Sequence, residues 1–171
     1  MKKLNLETID FTRSLLFTWP TGVWKTYQAK QLLNKFVEQS DDPKYILNTY
    51  TISDWHFKQM VKSNMLVLRW PTERQSSITA YPLEVMLRAR LLLYDDLWVS
   101  DVSDAYIRDL TFILDTRIEK NLPTIYTTNL SKDELTSKLN ERIVSRLLYN
   151  TDVVIFGWED RRLSTTSYYT I

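Results

Sequence analysis

The chain of 171 residues contains no cysteine, one histidine and only 2 glycines. The absence of cysteine excludes a disulfide framework, a thiol nucleophile and metal sites built on cysteine. The single histidine, His56, leaves little for a histidine metal centre or a histidine-based catalytic triad. No apolar run approaches the roughly 18 residues that span a bilayer, and the first residues lack the apolar core of a signal peptide. We therefore expect a cytoplasmic protein without a membrane segment.

The chain has almost no net charge, because 22 basic residues stand against 21 acidic ones. There is accordingly no global attraction to nucleic acid or to a membrane surface. Hydrophobic residues make up 44% and charged residues 25%, as in soluble globular proteins. The length is that of one domain, and no internal repeat or linker divides it. We expect a single domain over residues 1–171.

The shortage of glycine is the unusual feature of the composition. A chain of this length would hold about a dozen glycines at the average usage of roughly 7%. This chain has Gly22 and Gly157 alone, together with 6 tryptophans. Glycine is the residue that tight turns and phosphate-binding loops require, because its backbone reaches conformations that are costly for other residues. The shortage therefore affects how any phosphate-binding loop in this chain is interpreted.

Apolar residues are spaced so that strands alternate with helices along the chain. The predicted strands are 13–18, 45–52, 90–94, 124–128 and 152–156. The predicted helices are 25–39, 54–61 with Asp54 as its N-cap, 103–120, one that opens with a capping box at Ser131 and Glu134, and 140–148, while 83–88 predicts one or two helical turns. This alternation predicts an α/β fold with about five parallel strands and helices on both faces.

Residues 19–26, WPTGVWKT, lie between the first predicted strand and a helix, where a phosphate-binding loop of the form GxxxxGK[ST] is found. In such a loop Lys25 contacts the β- and γ-phosphates, Thr26 ligates Mg²⁺, and backbone N–H groups at the helix start surround the phosphates. Tryptophan replaces both diagnostic glycines, at Trp19 and Trp24. Taken literally, the loop predicts weak nucleotide binding or none. The predicted nucleotide-binding residues are Pro20, Thr21, Gly22, Val23, Trp24, Lys25 and Thr26.

The rest of the chain supplies the other groups that nucleotide hydrolysis needs. The buried strand LLLYDD ends in two acids, of which Asp95 would hold Mg²⁺ with Thr26 and Asp96 would orient the attacking water. Asn129, after the next strand, would sense the γ-phosphate. Arg146, four residues after Arg142 on one helical face, would act as an arginine finger across a subunit boundary, with Arg142 as the alternative. The plainer interpretation is that the acids and the asparagine are turn residues and that the arginines are solvated side chains.

From about residue 13 to residue 162 the chain resembles the AAA+ core of bacterial helicase loaders of the DnaC/DnaI type. It is equally similar to the IstB-type ATPases that assist transposition. The segments that match, in order, are PTGVWKT, LLLYDDLW, EKNLPT, TTNL, NERIVSRL and IFGWEDRR. The resemblance implies a P-loop NTPase fold without a lid domain, and an Mg²⁺-dependent ATPase that binds ATP and forms a homo-oligomer. It also implies a ring helicase or a transposase as partner, with single-stranded DNA as a further one.

The comparison also shows where the tryptophans stand. Trp19, Trp24, Trp98 and Trp158 occupy positions at which family members have, or commonly have, glycine. Some bacterial genetic codes read UGA as glycine and others read it as tryptophan. We hypothesise that the gene has been translated with the wrong code, so that several of these residues are glycine in the cell. A UGG codon at Trp19 and at Trp24 would contradict this.

Two other functions remain open at this stage. The sequence as written fits a P-loop protein that is deficient in nucleotide binding and acts as a structural or binding subunit. A generic P-loop kinase is less well supported, because TTNL and NERIVSRL have no role in a kinase. Helicase loading and help in transposition are not separated by the sequence.

Overall fold

The computed structural model describes residues 9–18, 24–39, 49–63, 81–97 and 102–155. No helix in these ranges is both long and apolar enough to cross a membrane. Of the predicted site, Pro20, Thr21, Gly22 and Val23 lie outside the described residues, as do Trp19, Trp98 and Trp158. The elements, in chain order, are β1 (Ser14–Thr18), α1 (Lys25–Glu38), β2 (Thr49–Ser53), α2 (Asp54–Lys62), α3 (Tyr81–Arg88), β3 (Leu91–Asp95), α4 (Asp104–Glu119), β4 (Thr124–Thr127), α5 (Lys132–Leu139), α6 (Glu141–Leu147) and β5 (Thr151–Ile155).

The five strands form one parallel sheet in the order β2-β3-β4-β1-β5. Strand β1 lies between two strands from the second half of the chain, since Leu15 pairs with both Ile125 of β4 and Asp152 of β5. In a parallel sheet all carboxyl ends lie at one edge. This arrangement confirms the predicted α/β fold with five parallel strands.

Successive residues of each strand face opposite sides of the sheet, and each side has its own core. On β3, Leu91 and Leu93 pack in a cluster with Leu32 of α1. The neighbouring Leu92 and Tyr94 pack on the other side, in a cluster with residues from α2 to α6. The strand reads as a continuous apolar run because both of its faces are buried. Helices therefore cover both faces, as predicted.

One helix boundary differs from the sequence prediction. Ser53, and not Asp54, is the N-cap of α2, because Ser53 has an extended backbone and its Oγ accepts from the N–H of His56 at 3.3 Å. Asp54 is the first helical residue, and only 1% of it is exposed. The capping box of Ser131 and Glu134 at the start of α5 is confirmed.

The amino end of the sheet is held by Arg117 of α4, which is 2% exposed. Its guanidinium donates to the hydroxyl of Thr124 at 2.8 Å and to the backbone carbonyls of Met86, Ala89 and Pro123 at 2.6, 2.9 and 2.6 Å. Burial lowers the pKa of Arg117 to about 10, so the side chain stays charged at neutral pH. One side chain thus joins α3, α4 and β4.

Candidate functional site

Five predicted site residues lie at the carboxyl edge of the sheet. Lys25 and Thr26 begin α1 after β1, Asp95 and Asp96 stand at the end of β3, and Asn129 follows β4. Open α/β sheets bind ligands at this edge, because loops and helix starts leave a crevice there. The structure brings these five side chains into two connected sets of contacts.

The first set is centred on the carboxylate of Asp95. Its Oδ1 accepts hydrogen bonds from the hydroxyls of Thr26 at 2.8 Å and Thr127 at 2.7 Å. The hydroxyl oxygen of Thr127 also accepts from the backbone N–H of Asp96 at 2.8 Å. Thr127 is 1% exposed, so this single hydroxyl fixes both acids against β4.

The second set joins Lys25, Asn129 and Asp96. The ammonium group of Lys25 donates to Oδ1 of Asn129 at 2.7 Å, and the amide of Asn129 donates to Oδ1 of Asp96 at 3.4 Å. Lys25 is 7% exposed. Asn129 therefore stands between the cation of α1 and the second acid of β3, and an anion that reached Lys25 would compete with its side-chain oxygen.

The environment of the site shifts the pKa values of Lys25 and Asp96 toward each other, lowering the first and raising the second. Burial lowers the pKa of Lys25, and the negative charge of Asp96 partly opposes this. The pKa of Asp96 is raised by partial burial and then by the charges of Asp95 and Asp54, while Lys25 opposes the increase. A carboxylate with a raised pKa is a better proton acceptor than an ordinary aspartate.

Trp24, directly before α1, has the backbone of a left-handed residue, with φ 49° and ψ 21°. The other described residues with positive φ, glycine aside, are one aspartate and three asparagines, which are the types that tolerate this conformation: Asp96, Asn121, Asn140 and Asn150. The indole is 60% exposed and lies edge-on to the ring of Tyr27, with 5.3 Å between ring centroids. Position 24 thus has the conformation for which glycine is the favoured residue, at a cost of roughly 1–2 kcal/mol for tryptophan.

Arg146 is placed apart from these two sets. Its guanidinium forms an ion pair with Asp115 of α4 and donates to the backbone carbonyl of Arg142 at 3.0 Å. Arg142 is exposed on the same helix. Within one chain, then, Arg146 binds α4 rather than the carboxyl edge, and its role as a finger stays a prediction.

The chemistry of the donor set fits a magnesium–nucleotide complex. Among the described residues no group of three or more histidine, cysteine, aspartate or glutamate side chains is placed to hold a metal ion. Mg²⁺ with a nucleotide needs no such group, because one or two protein oxygens, phosphates and waters complete its shell. The hydroxyl of Thr26 and the carboxylate of Asp95, 2.8 Å apart, would supply those oxygens. Lys25 and the start of α1 would supply positive charge for phosphate.

The sequence did not predict the contribution of two residues, Thr127 and Asp54, to the site. Thr127 was recognisable only as part of a polar strand end, TTN, and nothing local indicates that its hydroxyl contacts both acids. Asp54 matches the sequence pattern of a helix cap, yet it is buried near Asp96 and influences its pKa. Both contacts join neighbouring strands and helices, which a linear pattern does not record.

No model of a known protein family and no curated protein matches this sequence. Solved structures do match its fold. The crystal structure of the DnaC helicase loader has a TM-score of 0.67 at 21% identity and covers 88% of this chain and 82% of that one. The crystal structure of DnaI has a TM-score of 0.65 at 19% identity and covers 88% of this chain and 78% of that one. The structure of the replication initiator DnaA bound to AMPPCP and single-stranded DNA has a TM-score of 0.68 at 15% identity. It covers 90% of this chain and 43% of that one.

The strand order, the placement of the site at the carboxyl edge and these likenesses agree. The chain therefore has the α/β fold of the solved DnaC, DnaI and DnaA structures, with a five-stranded parallel sheet and helices on both faces.

Proposed function

We propose that the chain binds Mg²⁺-ATP and hydrolyses it, as an AAA+ ATPase that assists DNA replication by helicase loading or assists transposition. The observation that supports this most directly is the convergence of the Thr26 and Thr127 hydroxyls on Asp95, beside the contact of Lys25 with Asn129. A neighbour in fold is bound to AMPPCP, an ATP analogue, which supports a nucleotide as the ligand.

Each residue of the site has a role that follows from its position. Bound Mg²⁺ would neutralise charge on the phosphates. Thr26 and Asp95 would hold the ion, and Thr127 would keep Asp95 oriented through its hydroxyl. Lys25 would exchange its contact with Asn129 for phosphate oxygens.

Asp96 and Asn129 would act on the attacking water. The raised pKa of Asp96, due first to burial, suits a group that polarises water and accepts its proton. Asn129 contacts both Lys25 and Asp96, which supports the proposal that it senses the γ-phosphate: an anion bound at Lys25 would change the contact of Asn129 with Asp96. Catalysis of phosphoryl transfer is mostly positioning and charge neutralisation, which is what these contacts provide.

The loop would carry out this function with glycine at position 24. The left-handed backbone at Trp24 supports the hypothesis that this codon is read as glycine in the cell. A Cβ-free residue would remove the conformational cost and the bulk of the indole next to Lys25. For Trp19 the same hypothesis rests on its place at the first glycine of the loop motif.

Hydrolysis would require a homo-oligomer, because Arg146 would act on the nucleotide of a neighbouring subunit. A head-to-tail arrangement presents the same finger surface to each successive site. Removal of an arginine finger costs on the order of a thousandfold in turnover. Arg146→Ala should therefore abolish most turnover while ATP affinity is kept, and unchanged turnover would exclude this role.

The proposed partners are a ring helicase or a transposase, with single-stranded DNA. A DnaA structure with this fold is bound to single-stranded DNA, and the DnaC structure is that of a helicase loader.

The alternative function, a structural subunit deficient in nucleotide binding, is favoured by one observation. Trp24 as written places a large ring and a strained backbone directly before Lys25.

Nucleotide binding separates the two functions. A fluorescent non-hydrolysable ATP analogue would be titrated into the chain as written and into its Trp19→Gly, Trp24→Gly form, with and without Mg²⁺. An ATPase should show Mg²⁺-dependent binding in the glycine form that Lys25→Met removes. Asp96→Asn, as the matched control, should bind the analogue but not hydrolyse ATP. Absence of binding in both loop forms would favour the structural subunit.

A further inference from the structure

A buried carboxylate lies behind the site, and the proposed chemistry does not use it. Asp54 of α2 is 1% exposed. Its Oδ1 accepts from the phenol groups of Tyr106 at 2.6 Å and Tyr94 at 2.9 Å, and its Oδ2 lies 2.8 Å from the ammonium nitrogen of Lys58. We call these four residues the Asp54 cluster.

Stability alone gives no reason for this arrangement. Burial of a carboxylate and an ammonium costs about as much as their attraction returns, and apolar residues of the same volume are often equally stable or better. The Asp54 cluster does connect three elements through one acceptor atom, Oδ1 of Asp54. Asp54 belongs to α2, Tyr94 to β3 and Tyr106 to α4.

The link to the site runs along β3. Tyr94 is followed by Asp95 and Asp96, the two acids of the site, and its hydroxyl is tied to Asp54 on one side of the sheet. On the next strand, Thr127 holds the same chain end through Oδ1 of Asp95 and the backbone N–H of Asp96. The end of β3 is therefore held from two directions, by Thr127 and by Asp54.

We propose that Asp54 is a positioning residue, which through the Tyr94 hydroxyl fixes the end of β3 and so the place of the Asp96 carboxylate beside Asn129. This role rests on the proposed ATPase function for its catalytic consequence. The positioning itself is a property of the chain without nucleotide and can be measured there.

The cluster contains its own matched control. Tyr94 and Tyr106 are 0% and 1% exposed, and both donate to the same oxygen of Asp54. Both rings lie against Phe57 at 68°, with centroids 5.7 and 5.3 Å away. Loss of either hydroxyl removes one hydrogen bond to Asp54, of 2.9 Å from Tyr94 or 2.6 Å from Tyr106, but only Tyr94 stands on β3, the strand that leads directly to Asp96.

The test compares Tyr94→Phe with Tyr106→Phe in the full chain, by hydrogen exchange of the Asp96 backbone amide. Hydrogen bonds to charged groups are strong enough that Tyr94→Phe should speed exchange by about tenfold. Tyr106→Phe should change it by less than about threefold, although both variants lose similar thermal stability. Equal acceleration in the two variants, or none in either, overturns the proposal.

A second pair of variants covers the case in which Tyr94→Phe fails to fold. Asp54→Asn keeps an acceptor oxygen for the phenols, so the Asp96 amide should exchange within about threefold of the parent rate. Asp54→Leu removes the acceptor and should reproduce the acceleration of about tenfold. Equal rates in these two variants would contradict the positioning role.

Turnover adds a readout for the reaction. In the glycine form of the loop, Tyr94→Phe should lower turnover at saturating ATP by about tenfold and leave the ATP dissociation constant unchanged. Failure of that form to bind ATP would count against the ATPase, whereas the exchange pattern would still support the positioning of β3. Weakened ATP affinity with normal turnover would contradict the positioning role.

Discussion

At the amino end of the sheet a charged side chain bonds mainly to backbone, whereas at the carboxyl end charged side chains bond to neutral polar side chains. Arg117 donates to three backbone carbonyls and to one threonine hydroxyl. Lys25, by contrast, donates to the side chain of Asn129, and Asp95 accepts from two side-chain hydroxyls. The first kind of contact is fixed by the fold itself.

From this difference we expect the contacts of Arg117 to serve stability and those at the carboxyl end to serve a ligand. Backbone carbonyls at a helix end and a strand start cannot move without unfolding, so the contacts of Arg117 are permanent. Side-chain partners such as Asn129 can rotate away when phosphate or metal offers better bonds. Substitutions at the two ends should accordingly separate stability from nucleotide binding.

The largest expected effect is on stability at the amino end. Arg117→Met would leave the carbonyls of Met86, Ala89 and Pro123 without their buried donor, and should reduce the free energy of unfolding by about 3 kcal/mol or more. Chemical denaturation measures this. Arg108→Met is the control on the same helix, because Arg108 is exposed and should change stability by less than about 0.5 kcal/mol. Equal losses would contradict the structural role of Arg117.

The next effect is on nucleotide affinity. Trp19→Gly with Trp24→Gly should tighten Mg²⁺-ATP binding by about two orders of magnitude or more, since each tenfold corresponds to about 1.4 kcal/mol and several such contacts are restored. Calorimetric titration gives the dissociation constants. Trp98→Gly, past the two acids, should change affinity much less. Equal affinity in the written and glycine forms would mean that the loop tolerates tryptophan.

Strand β4 offers the same substitution at both ends of the sheet. Thr124 and Thr127 are each 1% exposed; the first binds Arg117 and the second binds Asp95 and Asp96. Thr124→Val should lower stability by about 1 kcal/mol and leave ATP affinity unchanged. Thr127→Val should weaken Mg²⁺-dependent binding about tenfold, because Asp95 loses an orienting hydroxyl. Affinity that fell equally in both variants would remove the distinction between the two ends.

The smallest effect concerns the charge of Asp96. Its raised pKa means that ionisation costs the folded state stability. That cost is absent below the ordinary carboxyl value of 3.8, grows as the pH rises from there to the raised pKa, and is complete above the raised pKa. Asp96→Asn should therefore raise the melting temperature slightly at neutral pH, with the gain vanishing near pH 3.8. A melting temperature that falls at neutral pH would contradict this sign.

Much of the fold could be predicted from the sequence, because the strand and helix periods are local. The runs LLLY and TIYT predict buried strands, and the residues that follow them place Asp95 and Asn129 at one edge. The prediction that Asp54 is the N-cap of α2 is wrong, because Ser53, directly before it, is also a good capping residue and occupies the N-cap position. Contacts such as that of Thr127 with Asp95 join residues 32 apart in sequence, and no local pattern predicts them.

The strand order has a consequence for how the protein is made. Strand β1 pairs on one side with β4 and on the other with β5, so that Ser14 lies opposite Thr151. During synthesis β2 and β3 can pair early, since Thr49 lies opposite Leu91, whereas β1 must wait for most of the chain. At roughly 5–20 residues per second, the segment with Lys25 spends several seconds without its final neighbours. The candidate site is thus among the last features to form on the ribosome, and a truncated chain that ends before β5 has β1 at an open edge.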